Sequence, residues 1–308
     1  MENRHRMAIV AALSGVLAGC GTAGSGPGPR TFTTPEDAVQ ALSQAVKGGD
    51  LDEVLEIFGP EGRALVDSSD PTAAQHNREI FTIAMAERWR LEDQDATRKT
   101  LIVGNEEWPF PIRLIKEGNA WRFDTAAGEQ EVIARRIGRN ELAAMRISET
   151  YVTAQRIYAK RGHDGKRPGI YARAFQSDPG RQNGLYWPGE PGQERSPLGD
   201  LLAAAADDAA ARRSAGGKPQ PFHGYYFRIL TAQGAEAPGG AKDYVVNGEM
   251  TGGFALVAWP AEYDVTGIVT FLVNHDGVVW EEDLGPATDA AARGMTLYNP
   301  DASWTKVE

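Results

Sequence analysis

Four histidines follow the first twenty residues, His76, His163, His223 and His275, and no two of them fall at metal-ligand spacing on one helical turn. Cys20 is the only cysteine, so the chain has no thiol pair for a disulfide or a structural zinc site. There is no Gly-x-Ser-x-Gly elbow, phosphate-binding loop, dinucleotide fingerprint or paired-histidine protease helix. A serine, a histidine and an acid that converge from separate elements leave no local signature, so hydrolysis stays open as an alternative. His163-Asp164-Gly165 places a single carboxylate in a short polar stretch. Calcium, however, needs carboxylates at alternating positions, and Gly162, Lys166 and Pro168 stand in those places. No metal and no cofactor is expected, and Glu249 reads as a solvated loop acid. The aromatic residues offer a different chemistry, the capture of a small apolar ligand. The candidates are Trp89, Trp108, Phe110 and Trp121 in the first half, Tyr186 and Trp187 in a long irregular segment, and His223 beside Tyr225. The competing reading is that the tryptophans and tyrosines fill a core and that His223 is a surface or capping histidine.

These residues sit in a chain of 308 residues, long enough for two domains, with 42% hydrophobic and 24% charged residues. A formal charge of -10 lacks the concentrated basic face that nucleic acid requires, so nucleic acid is excluded as a main partner. Residues 1–20 read as a targeting segment. Arg4 and Arg6 supply the positive start, and the apolar run over 7–17 is too short for a permanent span. The run ends in Leu17-Ala18-Gly19-Cys20, which resembles the bacterial lipobox. That resemblance implies that Cys20 is diacylated and becomes the mature N-terminus, anchored at roughly 0.8 kcal/mol per buried methylene. Gly21 in place of an aspartate resembles lipoproteins sorted to the outer membrane. Residues 21–30, rich in Gly, Ser and Pro, then form a flexible tether.

An α+β fold in two domains, 31–126 and 127–308, is expected. In the first, Thr33-Thr34-Pro35-Glu36-Asp37 starts a helix, with a threonine hydroxyl to cap it, that buries Ala38, Leu42, Ala45 and Val46 and stops at Gly48-Gly49. A second helix from Asp50 sets Leu51, Val54, Leu55 and Phe58 on one face. A third over 79–89 turns Ile80, Ile83, Ala84 and Trp89 inward. Strands over 98–104, 111–116 and 120–124 follow, the last two joined by Glu117-Gly118-Asn119. Helices followed by a meander resemble the cone-shaped nuclear-transport-factor-like fold, which implies an apolar pocket beneath a curved sheet.

The second domain opens with a long proline-free helix over 129–160, in which Gly138 is a point of bending or division. An irregular segment over 162–197 follows, then an alanine-rich helix over 198–213 and a turn over 214–220. Four aromatic and β-branched runs between 221 and 284 read as antiparallel strands. A long helix beside such a sheet resembles the globular part of type IV pilin-like and pseudopilin proteins. Several stretches together are similar to a bacterial family of exported proteins filed as domain of unknown function 2950. They are Arg135-Arg136-Ile137-Gly138-Arg139-Asn140-Glu141-Leu142, Gly184-Leu185-Tyr186-Trp187-Pro188, Ser196-Pro197-Leu198-Gly199, His223-Gly224-Tyr225-Tyr226-Phe227-Arg228-Ile229-Leu230, Gly252-Gly253-Phe254-Ala255-Leu256-Val257-Ala258-Trp259-Pro260 and Asp283-Leu284-Gly285-Pro286. The reading that follows is a lipid-anchored protein on the periplasmic face of the outer membrane, with the membrane and another envelope protein as expected partners and a non-enzymatic interaction or structural role. A ligand-binding module and an envelope hydrolase are the alternatives.

Overall fold

The structure, a computed structural model, describes residues 28–63, 71–188, 195–199 and 221–307. Cys20, most of the tether, the turn over 214–220 and all but the first two residues of the helix expected over 198–213 lie outside the described residues. Helices and antiparallel sheets make the chain an α+β protein. It divides into two compact units after Thr125.

In the first unit, α1 (Pro35–Gly48) begins with a reciprocal cap. The Asp37 N–H donates to Thr34 Oγ1 at 3.1 Å, and the Thr34 N–H donates to Asp37 Oδ2 at 3.2 Å. Gly49 takes the left-handed conformation (φ 70°) that closes the helix. α2 (Leu51–Phe58) is capped by Asp50, which accepts from the Glu53 N–H at 2.9 Å. Its buried face is Val54, Ile57 and Phe58, and Leu51 is left exposed. Val54 and Phe58 lie on the expected face, Ile57 joins them in place of Leu51, and Phe58 packs edge-on against Phe123 with ring centroids 5.2 Å apart.

α3 (Pro71–Glu87) is longer than expected and ends two residues before Trp89. It presents a different face as well. Met85 is buried, with Phe81 and Ala84 packed on the same core, while Ile80 and Ile83 are 51% and 62% exposed. The contact between the rings of Phe81 and Phe110, 5.3 Å apart, fixes that rotation. Five antiparallel strands follow: β1 (Trp89–Asp95), β2 (Arg98–Val103), β3 (Trp108–Pro109), β4 (Leu114–Glu117) and β5 (Ala120–Phe123). Their order is β1-β2-β4-β5, with β3 also on β2.

The second unit is built on α4 (Thr125–Ala159), which runs unbroken through Gly138. Ala144, Tyr151, Ala154 and Tyr158 recur along its buried stripe, and Tyr151 Oη donates to the Ala255 carbonyl at 3.2 Å. The main sheet contains β6 (Tyr225–Leu230), β11 (Ala255–Pro260), β12 (Thr270–Asn274), β13 (Val279–Glu282) and β14 (Thr305–Lys306), in the order β14-β13-β12-β11-β6. Between β6 and β11 lie two small ribbons, β7 (Ala232–Gln233) with β8 (Lys242–Asp243), and β9 (Val245–Val246) with β10 (Glu249–Met250). A short helix, α5 (Thr288–Gly294), follows β13.

Residues 160–188 form no regular element yet are pinned throughout. Buried Gln155 on α4 acts as a surrogate strand neighbour, since its Nε2 donates to the Ala172 carbonyl at 2.8 Å and its Oε1 accepts from the Ala172 N–H at 2.9 Å. The loop then pairs with itself: the Tyr186 N–H donates to the Phe175 carbonyl and the Ser177 N–H to the Tyr186 carbonyl. Gly184 lies so close to the backbone of Gln176 and Ser177 that a Cβ would not fit there.

Candidate functional site

The aromatic candidates of the first unit are taken up in mutual packing. Phe58, Phe81, Trp108 and Phe123 all contact the Phe110 ring at centroid distances from 5.3 to 6.5 Å. Trp121 is buried under Lys99, whose Nζ lies 5.7 Å from its ring. Trp89 and Trp108 flank Val103 on adjacent strands, with Trp89 half-buried and Trp108 43% exposed. A shallow depression of about 490 Å3 lies elsewhere in this unit, where the end of α1 meets α3, lined by Val46, Lys47, Arg78, Thr82 and Ile83.

In the second unit the structure assembles Tyr158, His163 and Trp187 at the end of α4. The His163 ring stacks on Tyr158 at 4.1 Å and meets Trp187 at 5.5 Å. Its Nε2 lies 3.0 Å from the Tyr158 carbonyl, an acceptor only, so the imidazole carries its proton there. Asp164 completes the turn by accepting from Arg181 Nε at 3.1 Å and from the Gln182 N–H at 3.0 Å. Burial, reinforced by the Asp164 charge, pushes the Tyr158 phenol up to about 12. The carboxylate of the His163-Asp164-Gly165 turn is therefore engaged with its own loop. Tyr186 and Trp187 are buried in the same loop.

His223 and Tyr225 separate sharply despite their spacing. His223 is exposed, adopts a positive φ of 47° and rests against Phe222 at 4.4 Å; partial desolvation holds its imidazole below the usual value. Tyr225 is fully buried, and its hydroxyl donates to the Val269 carbonyl at 2.9 Å. Desolvation raises that phenol, and the charges of Glu141 and Glu281 add to the effect.

That last pair of residues was not singled out by the sequence. Glu141, on α4, accepts from the Ile268 and Val269 N–H groups at 2.9 and 3.2 Å, and Asn140 Nδ2 donates to the Thr266 carbonyl at 2.8 Å. Together they tie the β11–β12 connection to the helix. Glu281, half-buried on β13, is held above the ordinary carboxylate value by desolvation and by the Glu141 charge. No local motif marks such a pair, because the two glutamates are 140 positions apart and meet only through the fold.

A second cluster also eluded the sequence. Arg228 on β6 donates to the carbonyls of Ala292, Arg293 and Met295, and so caps the C-terminal end of α5. Arg228 and Arg293 both lie over Trp259, at 5.7 and 5.9 Å, and the indole N–H of Trp259 donates to Asp289 at 2.9 Å. Trp280, on β13, lines a shallow depression of about 710 Å3 with Glu236, Pro238, Pro300, Asp301 and Ala302. Lys306 lies 5.2 Å over its ring.

His275 is half-buried between Tyr244 and Phe254, with no hydrogen-bond partner for Nδ1 among the described residues. His76 lies in α3. Glu249, expected as a solvated loop acid, is on β10 and half-buried, 3.7 Å from Lys166 and 3.9 Å from Arg167. The ion pairs draw it toward the 160–188 loop.

Residues 29–307 match the model of a family described as protein of unknown function (DUF2950). The chain belongs to this family. Neither the comparison with curated proteins nor that with solved structures returned a match. The DUF2950 match spans both compact units and every cluster described above, while Cys20 lies ahead of it. Among the described residues of this DUF2950 chain no helix is long and apolar enough to cross a membrane.

Proposed function

We propose that this chain is a lipid-anchored protein of the bacterial cell envelope that serves a non-enzymatic interaction role. It is exported by its first 20 residues and held by acylated Cys20 on the periplasmic face of the outer membrane. The observation that carries the proposal is Leu17-Ala18-Gly19-Cys20, placed after an apolar run and before a Gly, Ser and Pro tether. The state of the reactive groups supports the non-enzymatic part. His163 is stacked and bonded within its loop, the Tyr225 hydroxyl is spent on Val269, and Asp164 is spent on Arg181 and Gln182. A catalytic group has to reach a substrate, and these reach groups of their own chain. The cone-like reading of the first unit and the pilin-like reading of the second belong to the same proposal. The second draws support from a 35-residue helix bonded to an antiparallel sheet through Tyr151 and to the β11–β12 connection through Glu141.

Fractionation of cells that produce the wild-type chain or Cys20→Ser tests the anchor. Wild type is expected in the membrane fraction after a high-salt wash and Cys20→Ser in the soluble fraction. A Cys20→Ser chain that stays membrane-bound after the wash removes the proposal. The depression beside Trp280 favours a second reading, a small-ligand module. Native mass spectrometry of the purified chain, showing a bound small molecule that Trp280→Ala loses, would establish it.

A further inference from the structure

Sheet edges expose unpaired backbone groups, and proteins usually blunt them with charge, a bulge, shortness or a covering segment. Three edges here follow that practice. β1 carries Arg90, Glu92 and Asp93, with a register shift between Asp93 and Asp95. β5 is covered by Phe32, whose N–H and C=O bond to Trp121 at 2.8 Å each. β14 is two residues long and contains Lys306.

β6 is the exception. It is six residues of Tyr-Tyr-Phe-Arg-Ile-Leu, regular against β11 from Tyr225 opposite Pro260 to Leu230 opposite Ala255. The outer N–H and C=O of Tyr225 both bond to Phe222, and the outer C=O of Thr231 accepts from the Tyr244 N–H at 2.9 Å. Alternation along the strand then sends the N–H and C=O of Phe227 and Ile229 away from β11 as well. These four groups have no partner among the described residues. Among the described residues they form an open window two residues long, closed at one end by Phe222 and at the other by Tyr244.

We infer that this window binds an extended segment of a second protein, which adds a strand to β6 through Phe227 and Ile229 and places a carboxylate opposite Arg228. Strand addition supplies affinity through main-chain bonds and specificity through alternate side chains. On one face the newcomer meets Phe227 and Ile229, which are half-buried against the core and call for apolar neighbours. On the other it meets Tyr226 and Arg228. Arg228 has three carbonyls for acceptors and no carboxylate among the described residues, whereas Arg293 beside it is paired with Asp289. A half-buried guanidinium that caps a helix end and has no carboxylate partner among the described residues favours an acidic cross-strand residue.

The same charge argues against a second copy as the occupant. Two β6 edges joined antiparallel through these groups would set Phe227 against Ile229 of the other copy and Arg228 directly opposite Arg228. Like charges so placed are destabilising, and each chain also brings a net -10. The inference rests on the interaction reading of the protein and is independent of the anchor at Cys20.

The test uses the full lipidated chain in detergent and a synthetic peptide, Thr-Val-Glu-Val-Thr with blocked ends. One control is methylated on both valine nitrogens, and in another lysine replaces glutamate. Hydrogen exchange at the amides of Phe227 and Ile229 is expected to be fast in the free protein and to slow about tenfold or more with the peptide. Neither control should slow it. Amides already protected in the free, monomeric protein would mean that the chain covers its own edge, and would overturn the inference. Sedimentation showing a dimer in which those amides are protected would overturn it in favour of a second copy. No slowing at millimolar peptide, or equal slowing by the lysine control, would also overturn it. Cell fractionation of Cys20→Ser is unaffected by any of these outcomes, so failure here is distinguishable from failure of the anchor.

Discussion

Glu281 illustrates how a single side chain can work against the fold that holds it. Its carboxyl is partly desolvated and faces the charge of Glu141, and both effects favour the protonated form over the ordinary value of 4.5. Its folded value is therefore above its unfolded one. The stability linked to protonated Glu281 is complete below the unfolded value and is lost as the pH rises through the folded one. At neutral pH the ionised group is a net cost. Glu281→Gln keeps the shape and removes the charge, so it is expected to raise the denaturation midpoint at pH 7 and above. The gain should shrink toward zero below pH 4.5, where wild-type Glu281 is protonated in both states. Urea melts of both chains across that range check the sign; a gain that persists unchanged at acid pH would falsify the charge explanation.

At the scale of elements, α4 offers the clearest test of helix propensity. Gly138 is within the helix, its φ is not positive, and a Cβ placed on it meets nothing within 4 Å. Glycine there has the entropic cost of a flexible backbone without a packing reason, so Gly138→Ala is expected to stabilise by roughly 0.5–1 kcal/mol. A thermal melt showing a loss instead would mean that the residue serves a close contact or a bend. The same helix shows what local sequence can specify. Proline-free, rich in Ala, Glu and Arg, it was legible over almost all its length, and the starts of α1 and α2 were legible because the bonds that cap them span only three residues. β1 was not legible, because Trp89-Arg90-Leu91-Glu92-Asp93 reads as a helix end followed by a polar loop until β2 supplies its pairing partner. Leu51 of α2 and Ile80 and Ile83 of α3 were placed inward for a related reason, while Val54, Phe58 and Ala84 do face the core. Periodicity narrows the choice to neighbouring faces, and the rings of Phe110 and Phe123 choose between them.

Over the whole molecule, the groups that decide the chemistry came together in ways that spacing could not announce. His163 and Trp187 meet because the 160–188 loop doubles back, Glu141 and Glu281 because a helix lies on a sheet, and Arg228 and Trp259 because β6 pairs with β11. The proposed lipid attachment at Cys20 is read from local sequence alone, at the other end of the chain, and it yields a measurement independent of any fold. The chain has a single thiol among 308 residues. If Cys20 is a thioether, protein purified from membranes, denatured and treated with iodoacetamide should take up no label, because the sulfur has no proton to lose and cannot act as a thiolate. Unprocessed chain should take up one label. Cleavage beyond position 20 would also give zero, so the intact mass must accompany the count. A mature chain beginning at Cys20 and heavier than its residues by a diacylglyceryl group is the expected result. A label on every chain, or a mass equal to the residues alone, would leave the body without its lipid and the envelope assignment without its principal support.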